Sequence, residues 1–453
     1  MLVNFKVSNF ASFDDEQTLS MEAGKARIFS ERLYTNKTLK LLKFMAIYGA
    51  NASGKSTLVG AIEFAKNLII NPLSSDCQSR YCRLKDSNKD KTSRFEFTIE
   101  IDDKCYIYGF EILLSSSSFK SEWLKEWAYG NTYKTIFYRD IDLGICEVNS
   151  YFKNNAINER LSIYSEDILK DDSILFLRLM NQNKDTLYSS YPDIKIYKKL
   201  FNWFKYILSV NCPDKPITNY PYLMDSNDFS EITKLLAFFG TGVSKIDIVD
   251  IPTEKVLNSV PKELMQQITE SLNEQKKYYE SKGENDSVPV IMIRSTENNA
   301  MFLLELTDDS GVVAKTLQFN HKNTDAIFSA SEESDGTIRL LDLIEVLLTA
   351  NQETVYIIDE INRRFHPLLT YKFVEEYLMI AQKKKIQLIV TTHESKIMDL
   401  KLLRKDEIHF VDKDESGKTK IFSLDTLGER FDKRICKSYL DGDYDAIPIF
   451  KNE

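Results

Sequence analysis

Residues 49–57 read GANASGKST and fill every fixed place of the pattern G-x-x-x-x-G-K-[ST], with Gly49, Gly54, Lys55 and Ser56. In such a loop backbone N–H groups cradle phosphates, the lysine neutralises the β and γ phosphates, and the hydroxyl ligates Mg2+. Nucleotide contacts are therefore expected along Gly49, Ala50, Asn51, Ala52, Ser53, Gly54, Lys55, Ser56 and Thr57. The loop alone does not say which nucleotide machine owns it, because kinases, GTPases, motors, transporters and repair ATPases all use it.

A second stretch, VYIIDE, sets Asp359 and Glu360 behind four apolar residues. Acids at the C-terminal end of a strand are what a Mg2+ site beside a phosphate loop requires. Asp359 would hold the ion, and Glu360 would polarise an attacking water as general base. On its own the pair would read as a solvated strand end. The third stretch, ESDGT, places Ser334, Asp335, Gly336 and Thr337 at the opening of a helix. Ser before a helix is also an ordinary cap, so any chemistry here depends on the company it keeps. The fourth is His393 in QLIVTTHES, a histidine closing an apolar strand. Lys55, Glu360 and His393 are the candidate catalytic residues, and Ser56 and Asp359 the candidate Mg2+ ligands.

These groups need elements to hold them. LLKFMAIY ahead of the loop has strand character, and Leu58, Ala61, Ile62, Ala65, Leu68 and Ile69 behind it recur at helical spacing. Strand, loop and helix in that order aim a helix N-terminus at phosphate. Residues 93–148 read as strands and turns. Residues 155–245 read as mostly helical, with IYKKLFNWFKYILSV as the clearest amphipathic helix. PKELMQQITESLNEQKKYYESKGEND (261–286) is a charged helix running into a Gly-bearing loop, and short strands return at VPVIMIRS and AMFLLEL. From 328 onward helix, strand, helix and strand alternate, as in a buried parallel sheet. The expected fold is α/β: a mostly parallel sheet flanked by helices, an antiparallel β subdomain and a largely helical globular insertion. The boundaries expected are 1–90 and 321–430 for the two halves of the parallel-sheet domain, 91–150 for the β subdomain, 151–320 for the insertion and 431–453 for a tail.

At 453 residues the chain is too long for one compact core. Its net charge of −9 argues against uniform attraction to nucleic acid, and Lys383, Lys384 and Lys385 read as the solvated end of a helix. The opening MLVNFKVSNFASFDDEQ has no apolar core of leader-peptide length, and no apolar run reaches the roughly 18–20 residues of a membrane span. Cys77, Cys82, Cys105, Cys146, Cys212 and Cys436 are scattered without zinc-site spacing, which suits reduced thiols in a cytoplasmic protein.

Taken in order, the four stretches resemble those of ABC-type ATPases. More narrowly, the chain resembles the ABC-like AAA ATPases of the SMC/RecF/OLD class, and within it the RloA and AbiL type of subunit from bacterial abortive-infection loci. The resemblance rests on NFASFDDE (9–16), GANASGKST, ESDGTIRLLDL, IIDEINRRFHPLLT, TTHES and the tail SYLDGDYDAIP (438–448). It implies an ABC-type P-loop ATPase head, ATP as substrate with Mg2+, and a site completed only across a head-to-head dimer. Ser334, Asp335, Gly336 and Thr337 would then bind the γ phosphate held by the opposite subunit. His393 would reach the γ phosphate, and His366 and Pro367 would lie at the dimer interface. Asp335 stands where a second glycine is usual and Phe365 where leucine is usual, and Gln78 is the candidate for a Mg2+-sensing glutamine.

DKDES (412–416) offers the Asp-x-Asp of a Toprim metal site, but it lies between EIHFV and KTKIFSL with Gly417 in the turn. That reads as a hairpin tip. Too few residues follow His393 for a Toprim domain, so an effector nuclease is expected as a separate partner. The implied function is an ATP-gated sensor and scaffold in antiphage defence, self-associating, with no membrane partner. Two rivals stand beside it. A RecF-like ATPase would bind DNA directly, which leaves nucleic acid open as a partner. A degenerate ATP-binding scaffold is the other, and the intact Lys55, Asp359 and Glu360 argue against it.

Overall fold

The computed structural model describes all residues except 27, 129–131, 149–150, 213–228, 258–259, 283–287, 296–298, 308–310, 349–352, 428–434 and 441–453. The chain divides into two compact units. The first is Met1–Cys212 with Asn351–Asn362 and Phe373–Glu453, and the second is Pro213–Ala350 with Arg363–Lys372.

At the centre of the first unit lies a six-stranded sheet. Its order is Leu208–Asn211, Thr354–Ile358, Ile386–Thr391, Phe44–Tyr48, Ile408–Lys413 and Thr419–Ser423. The first five run parallel, and the last is antiparallel to its neighbour. Every residue of Phe44–Tyr48, Thr354–Ile358 and Ile386–Thr391 is buried, as strands covered on both faces must be. Parallel pairing brings all the C-terminal ends to one edge. Ile358 sits beside Val390, and Thr391 beside Ile47. The phosphate loop, the acids and His393 therefore leave the sheet at the same edge, where ligands of such sheets bind.

The helix Lys55–Ile70 buries Leu58, Ala61, Ile62, Ala65, Leu68 and Ile69, the stripe its periodicity predicts. Its Phe64 meets Phe10 at 5.1 Å and Phe95 at 5.7 Å. Those rings tie it to a seven-stranded antiparallel sheet of order Ile145–Val148, Thr132–Asp140, Ser118–Ala128, Lys104–Leu113, Ser93–Ile101, Leu2–Ser8 and Gln17–Ser20. The first unit thus has the expected α/β plan: a parallel sheet bearing the phosphate loop, with an antiparallel sheet across its helix.

Two expectations need correction. IYKKLFNWFKYILSV is not one helix: the α-helix stops at Asn202, a π turn covers Trp203–Ile207, and Leu208–Asn211 is a strand beside the acid-bearing strand. Trp203 and Phe204 are buried, with Phe204 edge-on to Phe97 at 5.0 Å. The short apolar run after them satisfies helix and strand patterns alike, and the open edge of the parallel sheet decides between them. Nor is 151–320 one largely helical insertion. Its first part shares the core of the first unit, where Ile157, Leu161, Leu177, Tyr197 and Trp203 pack with Phe97 and Ile62.

The second unit, by contrast, is built on an antiparallel sheet of order Val243–Ile251, Gly311–His321, Met301–Thr307 and Val290–Arg294, with Ile327–Ser329 paired to Gly311–His321. The charged helix Lys262–Lys282 buries Ile268 and Leu272 in a core with Phe302, Leu304 and Ala314. The Gly-bearing loop expected after it, and the tail beyond Leu440, lie outside the described residues. No described helix is long and apolar enough to cross a membrane.

Candidate nucleotide site

The loop after Phe44–Tyr48 is shaped by close approach. A Cβ at Gly49 would come within 2.2 Å of the Val411 carbonyl oxygen. Gly54 has a φ of +119°, and a Cβ there would meet Thr419 Oγ1 at 2.6 Å. Only glycine suits either place. Thr419 is itself a brace, with Oγ1 2.7 Å from Ser12 Oγ and 3.1 Å from the Ser53 carbonyl. Lys55 Nζ donates to the carbonyls of Gly49 at 2.8 Å and Ala50 at 2.9 Å. Burial lowers its ammonium to about 8, against the pull of Asp359 and Glu360. Ser53 Oγ is buried and has no hydrogen-bond partner among the described residues. A phosphate oxygen would satisfy it.

The acids are set by the neighbouring strand. Asp359 is buried, and its N–H donates to the Asn211 carbonyl at 2.9 Å. Thr391 Oγ1 donates to Asp359 Oδ1 and accepts from the Glu360 N–H at 2.8 Å. Glu360 has a φ of +51°, uncommon for a residue with a side chain. The Thr391 hydroxyl anchors that turn. Next along the chain, Asn362 Oδ1 accepts from Thr392 Oγ1 at 2.9 Å and from the His393 N–H at 3.3 Å.

Asn51–Thr57, Glu360 and His393 line one cleft of about 520 Å³, whose remaining wall is Ala11, Ser12, Arg83, Leu84, Lys413 and Gly417. All of it belongs to the first unit. A neighbouring hollow shares Ala11, Ser56, Thr57 and Arg83, then runs past Gly60 to Arg80 and Tyr81. The two adjoin along those shared residues and form one trench. His393 is exposed on the trench wall; desolvation first, and the Lys55 charge second, hold its imidazole below the usual range, so it is neutral near pH 7. A serine hydroxyl and a carboxylate are hard oxygen donors, which fits Mg2+ at Ser56 and Asp359. Thr391 occupies only one carboxylate oxygen of Asp359.

The family profile described as "AAA domain, putative AbiEii toxin, Type IV TA system" matches residues 44–399. The chain belongs to this family. The match runs from the strand before the phosphate loop to just beyond His393, so it takes in this AAA domain's four motifs. No curated protein matches the chain significantly. Among solved structures, an Smc head bound to the C-winged helix domain of ScpA is similar at a TM-score of 0.41 and 14% identity, covering 94% of this chain and 99% of that one. The SMC head domain from Thermotoga maritima has a TM-score of 0.33 at 12% identity, with 93% and 98% covered. A Pyrococcus furiosus Smc head bound to the C-terminal domain of ScpA has 0.35 at 15%, with 94% and 97% covered.

In this AAA protein Ser334, Asp335, Gly336 and Thr337 belong to the second unit. Ser334 Oγ accepts from the Thr337 N–H at 3.0 Å, which caps the helix Asp335–Leu348. Asp335 Oδ1 accepts from Asn299 Nδ2 at 2.9 Å and Arg364 Nη1 at 3.1 Å. His366 opens the helix Pro367–Ala381, its carbonyl accepting from the Leu369 N–H at 2.8 Å.

Two further sequence readings meet the structure here. Gln78 is exposed and outside the trench wall, so the structure gives no support to a Mg2+-sensing role for it. DKDES forms a hairpin tip: Asp414 Oδ1 accepts from the N–H groups of Ser416 at 3.0 Å and Lys418 at 3.1 Å. That hairpin also delivers Lys413 and Gly417 to the cleft, a role its sequence did not announce. Thr391, Asn362, Ser12 and Thr419 were likewise missed. The available signal was slight: Thr391 and Thr419 are small polar residues at strand ends, and Ser12 and Asn362 lie in turns.

Proposed function

We propose that this protein is a Mg2+-dependent ATPase serving as a nucleotide-gated switch and scaffold in bacterial antiphage defence. ATP would close two heads into a dimer or larger assembly, and hydrolysis would open it. A separate effector, a Toprim-type nuclease, would be held or released by that cycle. One observation carries the catalytic part: the phosphate loop, Glu360 and His393 line a single cleft, with buried Asp359 hydrogen-bonded to the same Thr391 hydroxyl as Glu360. The family's toxin–antitoxin description supports the defence setting.

In this reading the loop N–H groups and Lys55 bind the β and γ phosphates, and Ser56 and Asp359 hold the ion. Mg2+ supplies charge neutralisation on the phosphoryl group. Glu360 takes a proton from the attacking water, and neutral His393 donates to the γ phosphate. Ser334, Asp335, Gly336 and Thr337 of a second copy complete the site, their helix N-terminus facing the anion.

The test is the solution mass of wild type and Glu360→Gln with ATP and Mg2+, alone and with the product of the adjacent gene. An ATP-dependent assembly, trapped by the variant and capturing the neighbour, is the expected result. A variant that stays monomeric overturns the dimer switch. DNA binding that strengthens with ATP and weakens with salt would instead favour the repair-type reading.

A further inference from the structure

His393 stands just past the end of its strand. The strand Ile386–Thr391 is wholly buried, and its last ladder contact is the Thr392 N–H to the Ile47 carbonyl at 3.0 Å. Beyond that bond the sheet no longer holds the chain. Two bonds that converge on one side-chain oxygen take over. The Thr392 hydroxyl donates to Asn362 Oδ1 at 2.9 Å, and the His393 N–H donates to the same oxygen at 3.3 Å. Thr392 Oγ1 in turn accepts from the Glu394 N–H at 2.9 Å. The peptide groups on both sides of His393 thus hang, directly or through one hydroxyl, on Asn362.

Asn362 is placed to make this matter. It lies two residues past Glu360, in the turn whose start Thr391 anchors through Asp359 and the Glu360 N–H. The Ile361 N–H continues the tie, donating to the Thr391 carbonyl at 3.1 Å. The acid turn and the histidine turn are therefore laced together by side chains exactly where strand pairing gives out. Thr392 is fully buried and Asn362 half-buried, so water competes poorly for the first bond.

We propose that Asn362 is a positioning residue for the ATPase reaction: its amide oxygen fixes the backbone at His393, so that the γ-phosphate contact and the Glu360 base keep one geometry. The proposal rests on the ATPase reading above. Asn362 is not part of the cleft wall; it acts through His393.

The experiment pairs Asn362→Ala, which removes the acceptor, with Asn362→Asp, which keeps it. Amide hydrogen exchange is followed by mass spectrometry in peptides covering 392–395 and, as reference, the helix Lys55–Ile70. Asn362→Ala should speed exchange at 392–395 only and lower kcat about tenfold to a hundredfold, with KM for ATP within about twofold. Asn362→Asp should restore protection at 392–395. Unchanged exchange in Asn362→Ala overturns the proposal, and so does faster exchange with unchanged kcat. Loosening that spreads equally to Lys55–Ile70 also overturns it, because it marks a purely structural role. If Asn362→Ala does not fold, Asn362→Asp decides: faster exchange at 392–395 despite the retained acceptor counts against the proposal. A wild type without ATPase activity would sink the parent reading while leaving the exchange result legible.

Discussion

Thr391→Val exchanges a hydroxyl for a methyl of nearly equal volume at a fully buried position. Two groups lose their partner: Asp359 Oδ1 and the Glu360 N–H. An unpaired buried polar group costs about 1–3 kcal/mol, so with two such groups the first unit should lose about 2–6 kcal/mol. Thr391→Ser keeps the hydroxyl and deletes one methyl, a loss of about 1 kcal/mol. The chemistry should separate the two variants further. Released from its anchor, Glu360 leaves the +51° φ for commoner backbone, and its carboxylate moves off the water it must activate. General-base catalysis contributes about 10²–10⁴-fold, so a displaced base should cost kcat at least about tenfold. The assay is steady-state ATPase with Mg2+ titration, alongside urea unfolding of each variant. Thr391→Val should lose kcat and need more Mg2+, with KM for ATP little changed because the phosphate loop is untouched. Thr391→Ser should remain close to wild type. If both variants lose kcat equally, methyl packing is what matters, and the hydroxyl argument is wrong. If Thr391→Val keeps the kcat of Thr391→Ser, the acids are not positioned as argued.

Gly54→Ala should abolish binding of a fluorescent ATP analogue, since the new Cβ meets Thr419 at 2.6 Å and sits at a φ of +119°; retained affinity would show that the loop rearranges freely. Ser334→Ala should lose a helix cap worth about 1 kcal/mol together with ATP-dependent assembly. Ser334→Asp keeps a capping oxygen but adds charge, so assembly that survives in Ser334→Asp would reduce Ser334 to a cap. Burial pushes His409 from 6.5 to about 4, so the folded protein resists its protonation. The unfolded chain then binds the proton first, and stability should fall by about 3 kcal/mol as pH drops from about 6.5 to about 4. His409→Leu should flatten that part of an acid-unfolding profile, and an unchanged slope would exclude His409 as its source.

Much of the site was legible because it is local. Gly49 through Thr57 are contiguous, and their chemistry follows from backbone N–H groups, two obligatory glycines and a helix start. The strands before Asp359 and His393 were equally readable, since strands buried on both faces are dominated by apolar residues, although Ile386–Thr391 also buries Gln387, whose side chain bonds the backbone of Leu2 and Leu42. The strand Leu208–Asn211 was not readable, because its short apolar run satisfies a helical stripe and a strand alike. In the second unit VPVIMIRS and AMFLLEL read as the strands they are, whereas Val243–Ile251 and Gly311–His321 did not.

What the sequence determined by itself was the set of chemical groups: a phosphate loop, a paired acid, a capped helix start and a terminal histidine. Tertiary structure alone decided their relations. Parallel order puts residues 49, 359 and 391 on one edge. The register then lets one threonine hydroxyl serve Asp359 and Glu360, lets Asn362 hold the backbone of His393, and lets Thr419 and Ser12 brace the loop from opposite ends of the chain. Hydrogen bonds reach only about 3 Å, so partners far apart in sequence meet only after strand order and register have placed them.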